Sequence, residues 1–173
     1  MRSPHLIFAI ILLVALGGAT LLVFEWWILG GIVTAIGLAL LYVWWRVSQI
    51  LRISTAITSN DMAKARVELD KIRNPEKLNA YSKTYYYLFK GIVEVQTNDF
   101  KGARASFKTS LETNRFRGVD EKATALVMMA QLDLRQRNNE GAKRWLREAR
   151  DLKPSEPIRE QIGSIVKQGR LRL

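Results

Sequence analysis

The 173-residue chain contains no cysteine. That excludes a disulfide framework, a thiolate nucleophile and a zinc–thiolate site. It contains a single histidine, His5, beside an apolar run, where a lone imidazole reads as an interfacial bystander. No glycine-rich phosphate loop, metal-ligand spacing or nucleophile–base–acid triad occurs. Acidic residues are few: 16 against 27 basic ones, a formal net charge of +11. Almost all of that excess follows Trp45, so the surface is expected to avoid cationic partners and to favour anionic lipid, acidic protein surfaces or nucleic acid. No cofactor and no enzymatic activity are expected.

What the chain does have is a repeat. The segment from Asn98 to Ser110 reads NDFKGARASFKTS, and two relatives flank it, NDMAKARVELDKI and NNEGAKRWLREAR. Ala65, Leu69 and Ile72 correspond to Ala103, Phe107 and Ser110, and to Ala142, Leu146 and Ala149. A small residue, a large apolar one four on and a small or apolar one three further share one helical face. Each copy follows a second helical stretch, which makes a repeated helix–turn–helix unit.

The first helices continue the pattern with Tyr87 and Gly91, with Leu126 and Ala130, and with Ile50 and Ile53. Pro154 ends the last copy, whereas Arg115 stands at that place in the middle one. In this arrangement the chain resembles the tetratricopeptide repeat family over roughly residues 46–154. The spacing of Ala65, Ala103 and Ala142, 38 and 39 residues, exceeds the family's period of about 34. Lys90 also stands at an apolar family position. The resemblance implies an all-α solenoid of three helix pairs, near 46–73, 76–113 and 119–152, closed by a capping helix and basic tail over 155–173. A plain helical bundle is the alternative. The resemblance further implies a concave groove lined by the first helices: Tyr85, Leu88, Ile92, Val95 and Gln96, then Thr124, Val127, Gln131, Leu134 and Arg135. That face is mainly apolar, so an amphipathic helix or apolar peptide is its expected occupant unless the short array fills it.

Ahead of the repeats, residues 1–45 read as a transmembrane hairpin with spans near 6–24 and 26–45, each long enough for a bilayer core of about 30 Å. Trp26, Trp27, Tyr42, Trp44 and Trp45 bracket the second span as interfacial aromatics do. Ala15 and Ala19 on one arm face Gly31, Ala35 and Ala39 on the other in a hairpin folded at Glu25, although the same stripes can also mediate homo-oligomer formation. The first run can alternatively be read as a signal peptide. Arg46, Arg52 and the basic remainder lead us to expect a multi-pass protein of the bacterial inner membrane with both termini cytoplasmic. The second span should run without a break into the first repeat, burying Val47, Ile50, Leu51, Ile53 and Ile57.

Local signals give an N-cap at Asp61, an N-cap and first-turn proline at Asn74–Pro75, a turn at Asn98–Asp99, a helix stop at Gly118 and a helix start at Ser155. The aromatic cluster Tyr81, Tyr85, Tyr86, Tyr87 and Phe89 reads as packing rather than a ligand cage. Glu94 and Asp133, at equivalent repeat positions, read as partners of Lys90 and Arg137 in ordinary helical ion pairs. Lys143, Arg147 and Arg150, with Arg144 and Trp145 beside them, form a basic stripe. The expected function is a membrane-anchored scaffold that holds a protein partner or membrane complex. The alternative is a basic module that docks on anionic lipid, ribosome or nucleic acid.

Overall fold

The computed structural model describes residues 27–169 and Leu171, with the side chains of 27–30 and 43–47 excepted. Every regular element among them is helical: α1 (Trp27–Thr58), α2 (Met62–Asp70), a 3-10 turn (Pro75–Lys77), α3 (Ala80–Gln96), α4 (Phe100–Thr113), α5 (Val119–Arg135), α6 (Asn139–Asp151) and α7 (Glu156–Gln168). The chain divides into two compact units, Met1–Leu51 and Arg52–Leu173.

In the first unit α1 is continuous through Trp45, as the absence of breakers there requires. It leaves Ile32, Ile36, Leu38 and Leu40 about half exposed. Leu51 is also exposed, against expectation, because it lies on the face opposite Ile50 and Ile53, which are buried. The expectation of a multi-pass membrane protein is corrected: among the described residues no helix is long and apolar enough to cross a membrane. The first expected arm, with Ala15, Ala19 and Glu25, lies outside the described residues. In the second arm the described apolar side chains run from 31 to 42. Gly31, Ala35 and Ala39 are exposed along it.

The second unit is built on one turn used three times. Asn60, Asn98 and Arg137 each adopt left-handed backbone, with φ of 58°, 62° and 59°. The next residue, Asp61, Asp99 or Asn138, caps the following helix: its side chain accepts from the backbone N–H of Lys64, Gly102 or Gly141 at 2.9–3.0 Å. Its own N–H returns to the carbonyl of Ala56, Glu94 or Asp133. Carbonyls at one helix end and N–H groups at the next are thereby satisfied within three residues. The chain reverses, and the two helices lie antiparallel.

In the α3–α4 and α5–α6 pairs the reversal brings the small and large repeat residues together. Ala65, Ala103 and Ala142 are fully buried, as are Phe107 and Leu146, and Leu69 is nearly so. A Cβ on Gly91 would meet the Phe107 ring at 2.7 Å. One repeat later Ala130 stands for Gly91 and Leu146 for Phe107, both fully buried. The pair keeps its combined bulk by exchanging a larger ring for a smaller partner, as close packing demands.

Consecutive helices from α2 to α7 pack on one another, and α7 closes on both α5 and α6. Ile162, Ile165 and Leu171 complete a core with Leu126, Val127, Ala130, Leu146 and Ala149. Several buried polar groups are satisfied locally, although Arg104 Nε is buried without a hydrogen-bond partner. Ser110 donates to the Thr84 carbonyl at 2.9 Å, and Thr84 Oγ1 accepts from the Arg115 N–H at 3.2 Å. The Tyr85 hydroxyl accepts from the Arg117 N–H at 2.9 Å, pinning the α4–α5 loop.

Two helix ends differ from expectation. Asn74 makes no side-chain cap; Pro75–Lys77 is a 3-10 turn, Leu78 is extended, and Asn79 caps α3 by accepting from the Ser82 N–H. Gly118 does not stop α4, which ends at Thr113 with left-handed Asn114; Gly118 instead precedes α5. Asparagine takes the left-handed conformation at little cost, so the glycine is not needed there.

Gly91→Ala is expected to destabilise the chain by about 1–3 kcal/mol through overpacking on Phe107. Adding Phe107→Leu, which reproduces the Ala130–Leu146 pair, should restore part of that loss; denaturant unfolding of both single variants and the double variant checks the coupling.

Burial and carboxylate neighbours raise the Tyr87 hydroxyl to about 12, the first cause being burial and the next its bond to Glu76. Burial likewise raises Tyr85 to about 12. The folded chain therefore holds these protons more tightly than the unfolded one. Their contribution to stability should be complete below the ordinary tyrosine value of about 10 and be lost as pH rises through 12. Phenolate absorbance against pH should show three late-ionising tyrosines, Tyr85, Tyr86 and Tyr87, one fewer in Tyr87→Phe.

Candidate binding site

Two junctions join successive helix pairs, and they are built from equivalent positions at an offset of 38 or 39. In the α4–α5 junction, Arg104 donates to Asp133 Oδ1 at 2.5 Å and to Gln136 Oε1 at 3.0 Å. Trp145 Nε1 donates to Asp133 Oδ2 at 2.9 Å. Asp133 is 2% exposed, and both its oxygens are taken. Gly141 leaves room for it, since a Cβ there would lie 2.4 Å from Asp133 Oδ2. The expected Asp133–Arg137 helical pair does not form, because α5 ends at Arg135 and Arg137 has already turned into left-handed backbone.

In the α2–α3 junction the counterparts of Arg104, Asp133, Gln136 and Trp145 are Arg66, Glu94, Thr97 and Ser106. Ser106 Oγ donates to Glu94 Oε2 at 2.6 Å, as Trp145 does to Asp133. Lys90 approaches Glu94 at 3.7 Å, as expected, and also lies over the Tyr87 ring. Arg66, however, is exposed and makes no ion pair or hydrogen bond among the described residues. The junction stays open. A cleft of about 380 Å³ occupies it, lined by Arg66, Leu69 and Asp70 of α2, by Tyr86, Lys90, Val93, Glu94 and Thr97 of α3, and by Asp99.

The difference follows from bulk and length. Tyr86 and Lys90 stand where α5 carries Ala125 and Met129, and they hold α2 off. The α2 helix has 9 residues against 14 in α4, so it offers less surface to pack. Tyr86 is 7% exposed, and its hydroxyl has no hydrogen-bond partner among the described residues. Burial, then the Asp70 and Glu94 carboxylates, raise its ionisation above the ordinary range and keep it protonated.

The residues expected to line a groove are divided by the fold. Tyr85, Leu88 and Val127 are buried, and Val127 and Leu134 pack in the core with Ile162 and Ile165 of α7. Ile92, Val95, Thr124 and Gln131 are half-buried; Gln96 is exposed; Arg135 is exposed and stacks on the Phe100 ring. Of the basic stripe, Lys143 pairs with Glu140 at 2.7 Å, Arg150 reaches Asp151 at 3.7 Å and Arg144 lies over the Trp145 ring. Arg147 stays exposed. The stripe is thus partly neutralised within its own helix. The expectation of an aromatic packing cluster accords with the ring contacts of Tyr85 with Tyr81, Phe89 and Phe116.

The sequence reading passed over Arg66 and Asp70. The signal was present: sliding the chain by one repeat sets Arg66 against Arg104 and Glu94 against Asp133. Comparison with family models, with curated proteins and with solved structures gives no match.

Asp133→Ala should cost about 3 kcal/mol, since it leaves the Arg104 guanidinium and the Trp145 N–H without their acceptor in a largely dry junction. Glu94→Ala should cost clearly less, because the open cleft lets water reach Lys90 and Ser106. Denaturant midpoints of the two variants test the ordering.

Proposed function

We propose that this chain is a protein-interaction module built of tetratricopeptide-like helix pairs, which holds a polypeptide partner in the cleft between α2 and α3. The recurring turn, the small–large pairing in the α3–α4 and α5–α6 pairs and the closing helix α7 support the repeat reading. The observation that carries the functional reading is the contrast between junctions. The same register is sealed by Arg104 and Asp133 in one place and left open, with unpartnered polar groups inside it, in the other. Arg66 and Asp70 are exposed at the open junction, so both remain free to meet a partner.

The basic-docking reading draws less support. Three acidic residues, Glu140, Glu148 and Asp151, share α6 with Lys143, Arg144, Arg147 and Arg150. A surface that gathers anionic phosphate needs cations free of such partners.

A photo-crosslinking residue placed at Asp70 of the full chain tests the reading in cells. Its counterpart at Lys108, the equivalent position beside the sealed junction, is the control. We expect a defined protein, identified by mass spectrometry, from the first position and not from the second. Equal capture at both positions, or none at Asp70, would overturn the assignment of the cleft as the binding site.

A further inference from the structure

The cleft's chemistry narrows what enters it. This inference rests on the binding-module reading above and names the group that the cleft recognises. Three carboxylates line the cleft, Asp70, Glu94 and Asp99, against two cations, Arg66 and Lys90. Lys90 is already turned to Glu94 and to the Tyr87 ring. Asp99 spends one oxygen on its helix cap, and Glu94 spends one on Ser106. Asp70 makes no salt bridge among the described residues, and the Tyr86 hydroxyl, on a side chain buried beyond nine-tenths, has no protein partner. In a chain of net charge +11, a pocket with more carboxylates than cations is a local reversal of sign.

The sealed junction displays what satisfies such a set. There a guanidinium lies between the carboxylate of Asp133 and the amide oxygen of Gln136. The corresponding acceptors in the open junction are Glu94 and the Thr97 hydroxyl, joined by Asp70 and the phenolic oxygen of Tyr86. Acceptors spread around a slot match the planar, many-donor fork of arginine better than the compact ammonium of lysine. Leu69 and Val93 provide apolar walls for the methylene stem of such a side chain.

We propose that the α2–α3 cleft receives an arginine side chain from a partner polypeptide, its guanidinium set among Glu94, Asp70 and the Tyr86 hydroxyl as that of Arg104 is set between Asp133 and Gln136. Arg66, at the rim, is not a ligand group. It is a competitor for the same carboxylate, held off by the bulk of Tyr86 and Lys90, and it disfavours weakly matched cations.

The test uses the full-length chain and three capped tripeptides, Gly-Arg-Gly, Gly-citrulline-Gly and Gly-Glu-Gly. Citrulline keeps the shape of arginine and removes its charge. Amide chemical shifts of Val93 and Thr97 are followed by NMR titration. We expect saturable shifts with the arginine peptide and binding about tenfold weaker or more for the citrulline one, as loss of a charge-assisted bond predicts. Asp70→Asn, an exposed and conservative change, should weaken the arginine peptide by a similar factor, whereas Arg66→Ala should leave its binding equal or tighter. Equal response to arginine and citrulline, preference for the glutamate peptide, no saturable shift with any peptide, or loss of binding in Arg66→Ala would each overturn the arginine assignment. The binding-module reading is decided separately, by the crosslinking contrast between Asp70 and Lys108.

Discussion

The second unit depends on reversing the chain within three residues without leaving polar backbone unsatisfied. A left-handed residue followed by Asp or Asn does this at Asn60–Asp61, Asn98–Asp99 and Arg137–Asn138. The turn sets two helices side by side with their small residues facing, and only then can Phe107 reach Gly91, or Leu146 reach Ala130. Hydrophobic burial supplies the driving force, but the turn chooses which faces meet. Arginine at the third left-handed position indicates how strongly the surrounding bonds impose that conformation, since it lacks the short side chain that makes asparagine tolerant there.

The parts of this architecture that were legible in the sequence are those decided within a few residues. The Asx cap at Asp61, the turn at Asn98–Asp99, the burial of Ala103, Phe107 and Ala142, and the start of α7 at Glu156 follow from spacing and capping chemistry. All-helical structure followed from the same periodicity. Gly118 and Asn74 misled because each competes with a neighbour equally suited to the task, Asn114 and Asn79 respectively. The membrane hairpin was inferred from run length across 6–45, whereas among the described residues no helix is long and apolar enough to cross a membrane.

The candidate site was not legible in the same way. Arg66 and Arg104 occupy equivalent positions in related segments, each following Ala65 or Ala103, and no local rule separates them. What separates them is tertiary: Tyr86 and Lys90 in place of Ala125 and Met129, and a partner helix of 9 residues in place of 14. Likewise Leu134 and Val127 looked available on a helical wheel, but α7, distant in sequence, packs on that face.

The open junction also bears on how the array holds together. In a stack where each helix pair touches only its neighbours, stability is a chain of links, and the whole is as cooperative as its weakest link. The α4–α5 link is tied by a buried ion pair, whereas the α2–α3 link has a cleft in place of that tie. Helices α3 to α7 then form one block that opens together, with α2 joined to it by a looser coupling. On the reading proposed above, a partner side chain lodged in the cleft would supply the missing tie, and the coupling would extend from Arg66, Leu69 and Asp70 to the rest of α2.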